Sequence, residues 1–230
     1  MASQHPSQPG NRVTTGGARD ERAKGAVNGG NAEEVVVLDD TAIQRSLTRI
    51  AHEVVERHDD LSRLYLVAIP NGGVPLGRIL QSKLAAIGDA EVPLGILDTT
   101  LYRDDLSRGG VRPPLRRTEM PSSVDERIVL IVEDVVSTGR TIRAAMDAMI
   151  DFGRPTSVQV VALVDRGHRE LPIKIDYVGK NIPTQVGDKV KFRSKGTTPS
   201  GELEAPFEVV VTGGGAPRAS RSGERGEGGR

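Results

Sequence analysis

Apolar and polar positions change their period along this chain, and each change marks an element. Residues 34–38 (EVVVL) form a short apolar run that predicts a strand. Ile43, Leu47, Ile50, Ala51, Val54 and Val55 then recur at helical spacing, with Asp39, Asp40 or Thr41 available as the cap. Arg45, Thr48, Arg49, His52 and Glu56 fall on the opposite face of that helix. Residues 64–69 (LYLVAI) are a buried-strand candidate and run into Pro70-Asn71-Gly72-Gly73, a turn that small, permissive residues make. Residues 74–87 return to a helical pattern, and 92–98 (VPLGILD) suggest another strand. Further on, 127–132 (RIVLIV) predict a strand and 140–152 an amphipathic helix stopped by Gly153 and Pro155. Residues 157–164 (SVQVVALV) are nearly continuous apolar strand, and Ile173–Val178 suggest one more.

Short apolar strands alternating with helices imply an α/β fold, a mainly parallel sheet covered by helices on both faces. The strand at 92–98 leads to TTLYRDDLSRGG, and the next stretch, through Ser123, is polar and rich in Pro and Arg, too long for a tight connection, and is expected to act as a mobile arm or lid.

Composition sharpens the boundaries. Hydrophobic residues are 37 % of the 230, low for a compact domain, and the deficit is local. Residues 1–32 and 213–230 are rich in Gly, Ser and charge and are expected to be disordered tails, because they lack the apolar surface to offset ordering entropy. The folded domain is expected at 33–212, large enough for one sizeable core. Lys+Arg and Asp+Glu balance at 31 each, so any basic surface must be a local patch. The absence of cysteine excludes disulfides and thiolate metal sites. No apolar run approaches the roughly 18 residues of a membrane span, and the N-terminus has no apolar signal segment. The expected setting is soluble and cytoplasmic.

The chemistry concentrates in residues 128–141, IVLIVEDVVSTGRT. Ligands of parallel sheets bind beyond the carboxyl ends of the strands. The strand at 127–132 is expected to deliver Glu133 and Asp134 to that edge. Ser137-Thr138-Gly139-Arg140-Thr141 then opens a helix, whose backbone N–H groups and hydroxyls suit an anion. Carboxylates for vicinal hydroxyls beside a loop for phosphate match a ribose 5-phosphate. Acidic residues at strand ends and Thr-Gly caps also occur without function. No Walker A pattern is present.

The stretch VLIVEDVVSTGRT resembles the phosphoribosyl pyrophosphate (PRPP) signature of type I phosphoribosyltransferases. LTRIAHEVVER, DTTLYRDDLS, FGRP, LVDRGHRELPI and DYVGKNIPT resemble the pyrimidine operon attenuation family, which are bifunctional uracil phosphoribosyltransferases. The likeness spans roughly residues 34 to 211. It implies a type I phosphoribosyltransferase fold with a small hood and a flexible arm, and conversion of uracil and PRPP to UMP and diphosphate. Magnesium would come with PRPP and diphosphate, with no protein cage of its own. The resemblance gives catalytic roles to Glu133, Asp134 and Arg103. It wraps the 5-phosphate in Val135, Val136, Ser137, Thr138, Gly139, Arg140 and Thr141. Asn71, Gly72 and Gly73 match the pyrophosphate loop, Arg103, Asp104 and Asp105 the base of the arm, and Arg166 and Val178 the base-binding hood. Three departures stand out: Asn71-Gly72-Gly73 replaces a usual Thr-Arg-Gly and loses a bidentate cation, Glu133 stands for a usual Asp, and Ser137 for a usual Tyr.

The same resemblance implies UMP-dependent binding of a leader mRNA hairpin of pyrimidine genes through Thr48, Arg49, His52, His168, Arg169 and Lys174. Lys174 stands where an Arg is usual and lacks the planar fork. The plain alternative for Arg49 and His52 is a solvated helix face. Aromatic residues are only 3 %, which argues against a stacking platform and leaves folded RNA as the compatible target. Relatives form dimers and larger assemblies, so a homodimer or higher homo-oligomer is expected. Two other readings stay open: a nucleotide-sensing RNA regulator with little catalysis, motivated by the Gly-Gly loop, and a phosphoribosyltransferase for purines or other bases without an RNA role.

Overall fold

The computed structural model describes residues 34–104, 117–185, 187–199 and 201–213. The tail expected at 1–32, all but Gly213 of the tail at 213–230, and Asp105 with most of the arm lie outside the described residues.

The chain enters through β1 (Glu34–Leu38) and α1 (Asp40–Arg57). Of the three possible caps, Asp39 is the one used: its Oδ1 accepts from the Ala42 N–H at 2.7 Å. Then follow β2 (Leu64–Ala68), α2 (Gly73–Gly88), β3 (Leu94–Ile96), β4 (Ile128–Val136), α3 (Arg140–Met149), β5 (Ser157–Asp165) and β6 (Tyr177–Asn181). Strands β2 to β6 form one five-stranded sheet of order β3-β2-β4-β5-β6, parallel throughout. Its two faces explain the unbroken apolar runs. Leu64, Leu66, Leu130, Val132, Val161 and Leu163 point to one side, where Ile43, Leu47, Ile50 and Val54 of α1 and Leu76, Leu80 and Leu84 of α2 cover them. Tyr65, Val67, Val129, Ile131, Val160 and Ala162 point to the other, under Ile142, Ala145, Ala148 and Met149 of α3. With both faces dry, period-two alternation has nothing polar to show.

A second, antiparallel sheet holds β1, β8 (Leu203–Thr212) and β7 (Lys189–Thr197) in the order β1-β8-β7. Leu38, Phe207, Val209 and Val211 join it to the α1–α2 core, and Phe192 stacks on Phe207 with centroids 5.3 Å apart. Strand β7, KVKFRSKGT, has one partly exposed face and mixed polarity, so it carries little apolar signal of its own. Arg78 of α2 reaches the turn before β8 with two bonds to Glu202, at 2.7 and 2.9 Å.

Several boundaries depart from the sequence pattern. β4 does not end at Val132 but runs to Val136, because β5 continues to pair with it as far as Asp165. β6 begins at Tyr177 and not at Ile173; Ile173 and Ile175 pack in a loop against the α3 core. α3 stops at Met149 and tightens into a 3-10 turn through Phe152 before Gly153, whose φ of +133° suits glycine. The strand at 92–98 contracts to Leu94–Ile96. No helix among the described residues is long and apolar enough to cross a membrane.

Asp39→Ala is expected to cost about 1 kcal/mol through loss of the cap. Ile50→Ala is expected to cost about 2–5 kcal/mol through the cavity it leaves. Urea unfolding monitored by circular dichroism checks both, and an unchanged midpoint for Ile50→Ala would remove α1 from the core.

Candidate active site

The β2–β4 ladder ends at the pair Ala68 and Val132, whereas the β4–β5 ladder continues through Glu133, Val135 and Val136. Beyond Ala68 the chain turns away through Pro70–Gly73. A cavity of about 500 Å³ opens over this half-paired end of β4. Its wall contains Arg103, every residue from Glu133 to Gly139, Thr141, Ile142, Arg166, and Val190, Lys191 and Phe192 of β7. The last three were not anticipated. Their alternating KVKF pattern was the available signal, but it names no chemistry.

Glu133 is 8 % exposed, and its Oε2 has no hydrogen-bond partner among the described residues. Burial pushes its carboxyl well above the usual range, Asp134 adds to this, and Arg103 opposes it. Burial also raises Asp134, against the Val135 N–H that donates to its Oδ1 at 2.8 Å. Arg103 Nη1 donates to Thr141 Oγ1 at 3.1 Å, which sets the base of the arm beside the phosphate-type loop. Asp104 lies outside the cavity wall and pairs with Arg140 at 2.7 Å and Arg143 at 3.2 Å.

The Pro70–Gly73 turn abuts the carboxylates directly. A Cβ at Gly72 would collide with the Asp134 side chain, and one at Gly73 with the Val132 carbonyl. Gly72 has an ordinary helical φ of −71°, so space and not backbone freedom demands glycine there. Asn71 is exposed and borders a smaller cavity of about 200 Å³ with Arg78, Arg117 and Glu202.

The loop after β4 is backed by the segment after β5. Arg166 N–H donates to the Val136 carbonyl, and the Glu170 and Leu171 N–H groups both donate to the Thr138 carbonyl. Gly139, with φ +90°, leaves no room for a side chain: a Cβ would lie 2.9 Å from Ile173 Cγ1. Ser137, Thr138, Gly139 and Thr141 face the cavity, but the Arg140 side chain does not line it; it bonds Asp104 and Glu170 instead. Arg166 lines the cavity and is held by the Asp188 carbonyl at 2.9 Å and Thr184 Oγ1 at 3.3 Å. Val178 does not line it; its carbonyl accepts from Arg49.

The expected RNA residues divide. His52 and Lys174 are exposed. His168, at φ +62°, is exposed and bonds through Nε2 to the Thr184 carbonyl at 2.9 Å. Thr48 Oγ1 bonds back to the Gln44 carbonyl. Arg49 docks on β6, with Nη2 at 2.8 Å from the carbonyls of Val178 and Gly179, and pairs with Glu53. Arg169 turns inward, to Asp165 and the Ser137 carbonyl.

No group of three or more His, Asp or Glu side chains that could cage a metal occurs among the described residues. Two adjacent carboxylates, Glu133 buried with an unpartnered oxygen and Asp134 half-buried, fit a cation that arrives with a phosphate ligand and keeps oxygen ligands from elsewhere.

Comparison with known proteins agrees with this geometry. The phosphoribosyl transferase domain family matches residues 36–195. Bifunctional protein PyrR of Pelotomaculum thermopropionicum is 52 % identical over 179 residues, covering 78 % of this chain and 96 % of that protein. The Deinococcus radiodurans PyrR is 49 % identical, covering 72 % and 91 %. The Chloroflexus aurantiacus PyrR is 43 % identical, covering 81 % and 98 %. The crystal structure of hypoxanthine phosphoribosyltransferase from Trypanosoma cruzi superposes with a TM-score of 0.57 at 20 % identity, over 77 % of this chain and 95 % of that one. That likeness speaks for the fold, which is the type I phosphoribosyltransferase fold. The chain belongs to the phosphoribosyltransferase family and, within it, to the bifunctional PyrR proteins.

Raised carboxyl values carry a sign. Glu133 and Asp134 keep their protons after the unfolded chain has lost its own, so folded stability falls as pH rises from about 4 toward the raised values, and stays reduced above them. Ligand-free Glu133→Gln is therefore expected to melt about 3 °C or more above the parent at pH 8, with the gap closing toward pH 4. Scanning calorimetry across that range checks it; equal melting at pH 8 would show that burying Glu133 carries no penalty.

Proposed function

We propose that this chain converts uracil and PRPP to UMP and diphosphate, and that the same pocket senses UMP to control binding to leader mRNA of pyrimidine genes. The observation that carries the reading is the unpartnered Glu133 Oε2, four residues before a phosphate-type loop in the same cavity wall. A ribose 5-phosphate supplies hydroxyls for the first and an anion for the second. The family membership supports the choice of reaction.

In the reaction the C1–O bond to pyrophosphate breaks, a bond from C1 to uracil N1 forms, and the N1 proton leaves. Positive charge gathers on the ribose as pyrophosphate departs. Glu133 and Asp134 accept hydrogen bonds from the ribose 2- and 3-hydroxyls and oppose that charge at short range. Val135 to Thr141 enclose the 5-phosphate, mainly by backbone N–H groups and the Ser137, Thr138 and Thr141 hydroxyls, with Arg140 acting from outside through Asp104 and Glu170. Arg103, beside Thr141, lies on the pyrophosphate side and neutralises the leaving group. Asn71, Gly72 and Gly73 offer backbone and amide donors there. Glu133 and Asp134 would be the residues beside a magnesium ion arriving with PRPP, and that ion would supply positive charge to the departing pyrophosphate. Arg166 and the β7 residues Val190 and Phe192 form the wall nearest the uracil.

For RNA, the exposed His52 and Lys174, with His168, Thr48 and Arg49, are the contacts this reading assigns. The domain spans 33–212 with tails at 1–32 and 213–230, assembles as a homodimer or larger oligomer, and works in the cytoplasm, where PRPP and transcripts meet.

Purified protein with PRPP, magnesium and labelled uracil is expected to form UMP, with guanine and hypoxanthine failing to compete. Asp134→Ala is expected to lower that rate at least 100-fold, about 2.7 kcal/mol of transition-state stabilisation. A folded protein that binds UMP and forms no product from any base would select the pure sensor reading. The pair His52→Ala and Lys174→Ala is expected to weaken binding of a pyrimidine-operon leader hairpin about tenfold or more with catalysis intact. Unchanged hairpin affinity in that double variant would relocate the RNA face.

A further inference from the structure

Diphosphate keeps net negative charge even beside a magnesium ion, so the surface that receives it needs cations. The Asn71-Gly72-Gly73 turn carries none. At residue 72 none can be added, because a Cβ there would collide with the Asp134 side chain. Gly72 stands between two cavities. It abuts Asp134 in the wall of the large one, while Asn71 before it borders the smaller one of about 200 Å³. The wall of the smaller cavity holds two guanidinium groups, those of Arg78 and Arg117.

The two differ in what they have left to offer. Arg78 is bidentate on Glu202, with Nη1 at 2.7 Å from Oε2 and Nη2 at 2.9 Å from Oε1. Glu202 is set in turn by a tight loop, where its N–H donates to Thr198 Oγ1 and its carbonyl accepts from the Thr198 N–H. With its fork on a fixed carboxylate, Arg78 is a tie between α2 and the turn before β8. Arg117 meets Glu119 through Nε, at 3.3 Å, and the pair is open to solvent, with side chains 85 % and 51 % exposed. Such a pair holds weakly. The Nη groups of Arg117 have no partner among the described residues, which leaves the planar fork for a second anion. The backbone beneath it is anchored. Ile96 and Glu119 exchange two hydrogen bonds at 2.8 Å, and the Asp98 N–H donates to Thr118 Oγ1 at 3.1 Å. Arg117 therefore reaches out from a fixed place on the edge of β3.

We propose that Arg117 is a diphosphate-binding residue: from the edge of β3 its fork supplies the positive charge that the Asn71-Gly72-Gly73 turn lacks. The inference rests on the reading of that turn as the pyrophosphate loop. Asn71 has no side-chain partner among the described residues and borders the same cavity, so its amide offers a neutral donor beside the charged one. Two cations then serve the leaving group, Arg103 from the large cavity and Arg117 from the small one. UMP carries no diphosphate and makes no use of Arg117, which gives the proposal its signature.

The test titrates inorganic diphosphate with magnesium, and separately UMP, into the parent, Arg117→Ala and Arg117→Lys by calorimetry. Thermal melting verifies that each variant is folded. Arg117→Ala is expected to bind diphosphate about tenfold or more weakly and UMP as the parent does. Arg117→Lys keeps the charge without the fork and is expected to lose about threefold or more; if the alanine variant fails to fold, this one decides. In turnover, Arg117→Ala is expected to raise the KM for PRPP about tenfold or more, with the KM for uracil unchanged. Parent-like diphosphate affinity in folded Arg117→Ala would overturn the proposal. So would an equal loss of UMP affinity, which would mark general damage to the pocket. A parent that binds no diphosphate overturns the reading of the turn and the proposal with it. A parent that binds diphosphate but forms no UMP from uracil and PRPP overturns the reaction alone, and the titrations still decide the role of Arg117.

Discussion

The β2–β4 ladder stops at Val132, and the β4–β5 ladder runs on to Val136. This mismatch in ladder length is the constraint on which the rest of the site depends. Up to Val132 the strand is flanked on both edges and packed on both faces, so only apolar residues are tolerated. From Glu133 onward one edge is open, and the chain leaving β2 must turn aside to make the opening. That turn passes so close to Asp134 that residue 72 has no space for a side chain. The missing guanidinium of the Asn71-Gly72-Gly73 turn is therefore tied to how tightly this turn sits on β4, and not only to a lost contact with pyrophosphate.

The two carboxylates show what this geometry does to charge. Placed at the end of a buried strand, they lose water without gaining full hydrogen bonding, and both hold their protons more tightly than usual. Such a site is poorly satisfied when empty and better satisfied with hydroxyl donors and a cation in place. In the proposed function, the cost in stability and the affinity for a sugar phosphate have one origin, a common feature of functional sites.

Around this centre the supporting contacts come from segments far apart in sequence. The loop of residues 137–141 is shaped by residues 166–173, and β7 supplies one wall of the cavity. The antiparallel sheet that carries β7 stands on the α1–α2 core through Leu38, Phe207, Val209 and Val211. Helix α1 in turn places Arg49 on the carbonyls of β6, the strand that follows the His168 segment. Nucleotide pocket and expected RNA face thus share one framework.

Most of the central sheet was legible in the sequence because its strands are buried on both faces and read as unbroken apolar runs, and because α1 and α3 carry clear helical stripes. The gathering of Glu133, Asp134, Ser137, Thr138 and Gly139 at one cavity was legible too, since adjacency in the chain is adjacency in the cavity wall. What local pattern could not supply depended on pairing partners distant along the chain. The extension of β4 past Val132 was decided by β5, and the late start of β6 by the packing of Ile173 and Ile175 under α3. The role of β7 came from its pairing with β8, since KVKFRSKGT has no strong period of its own. The direction of a long side chain was hidden for the same reason. Only the acceptors that folding brings to each, Asp104 and Glu170 for Arg140, Asp165 and the Ser137 carbonyl for Arg169, decide where these two side chains point.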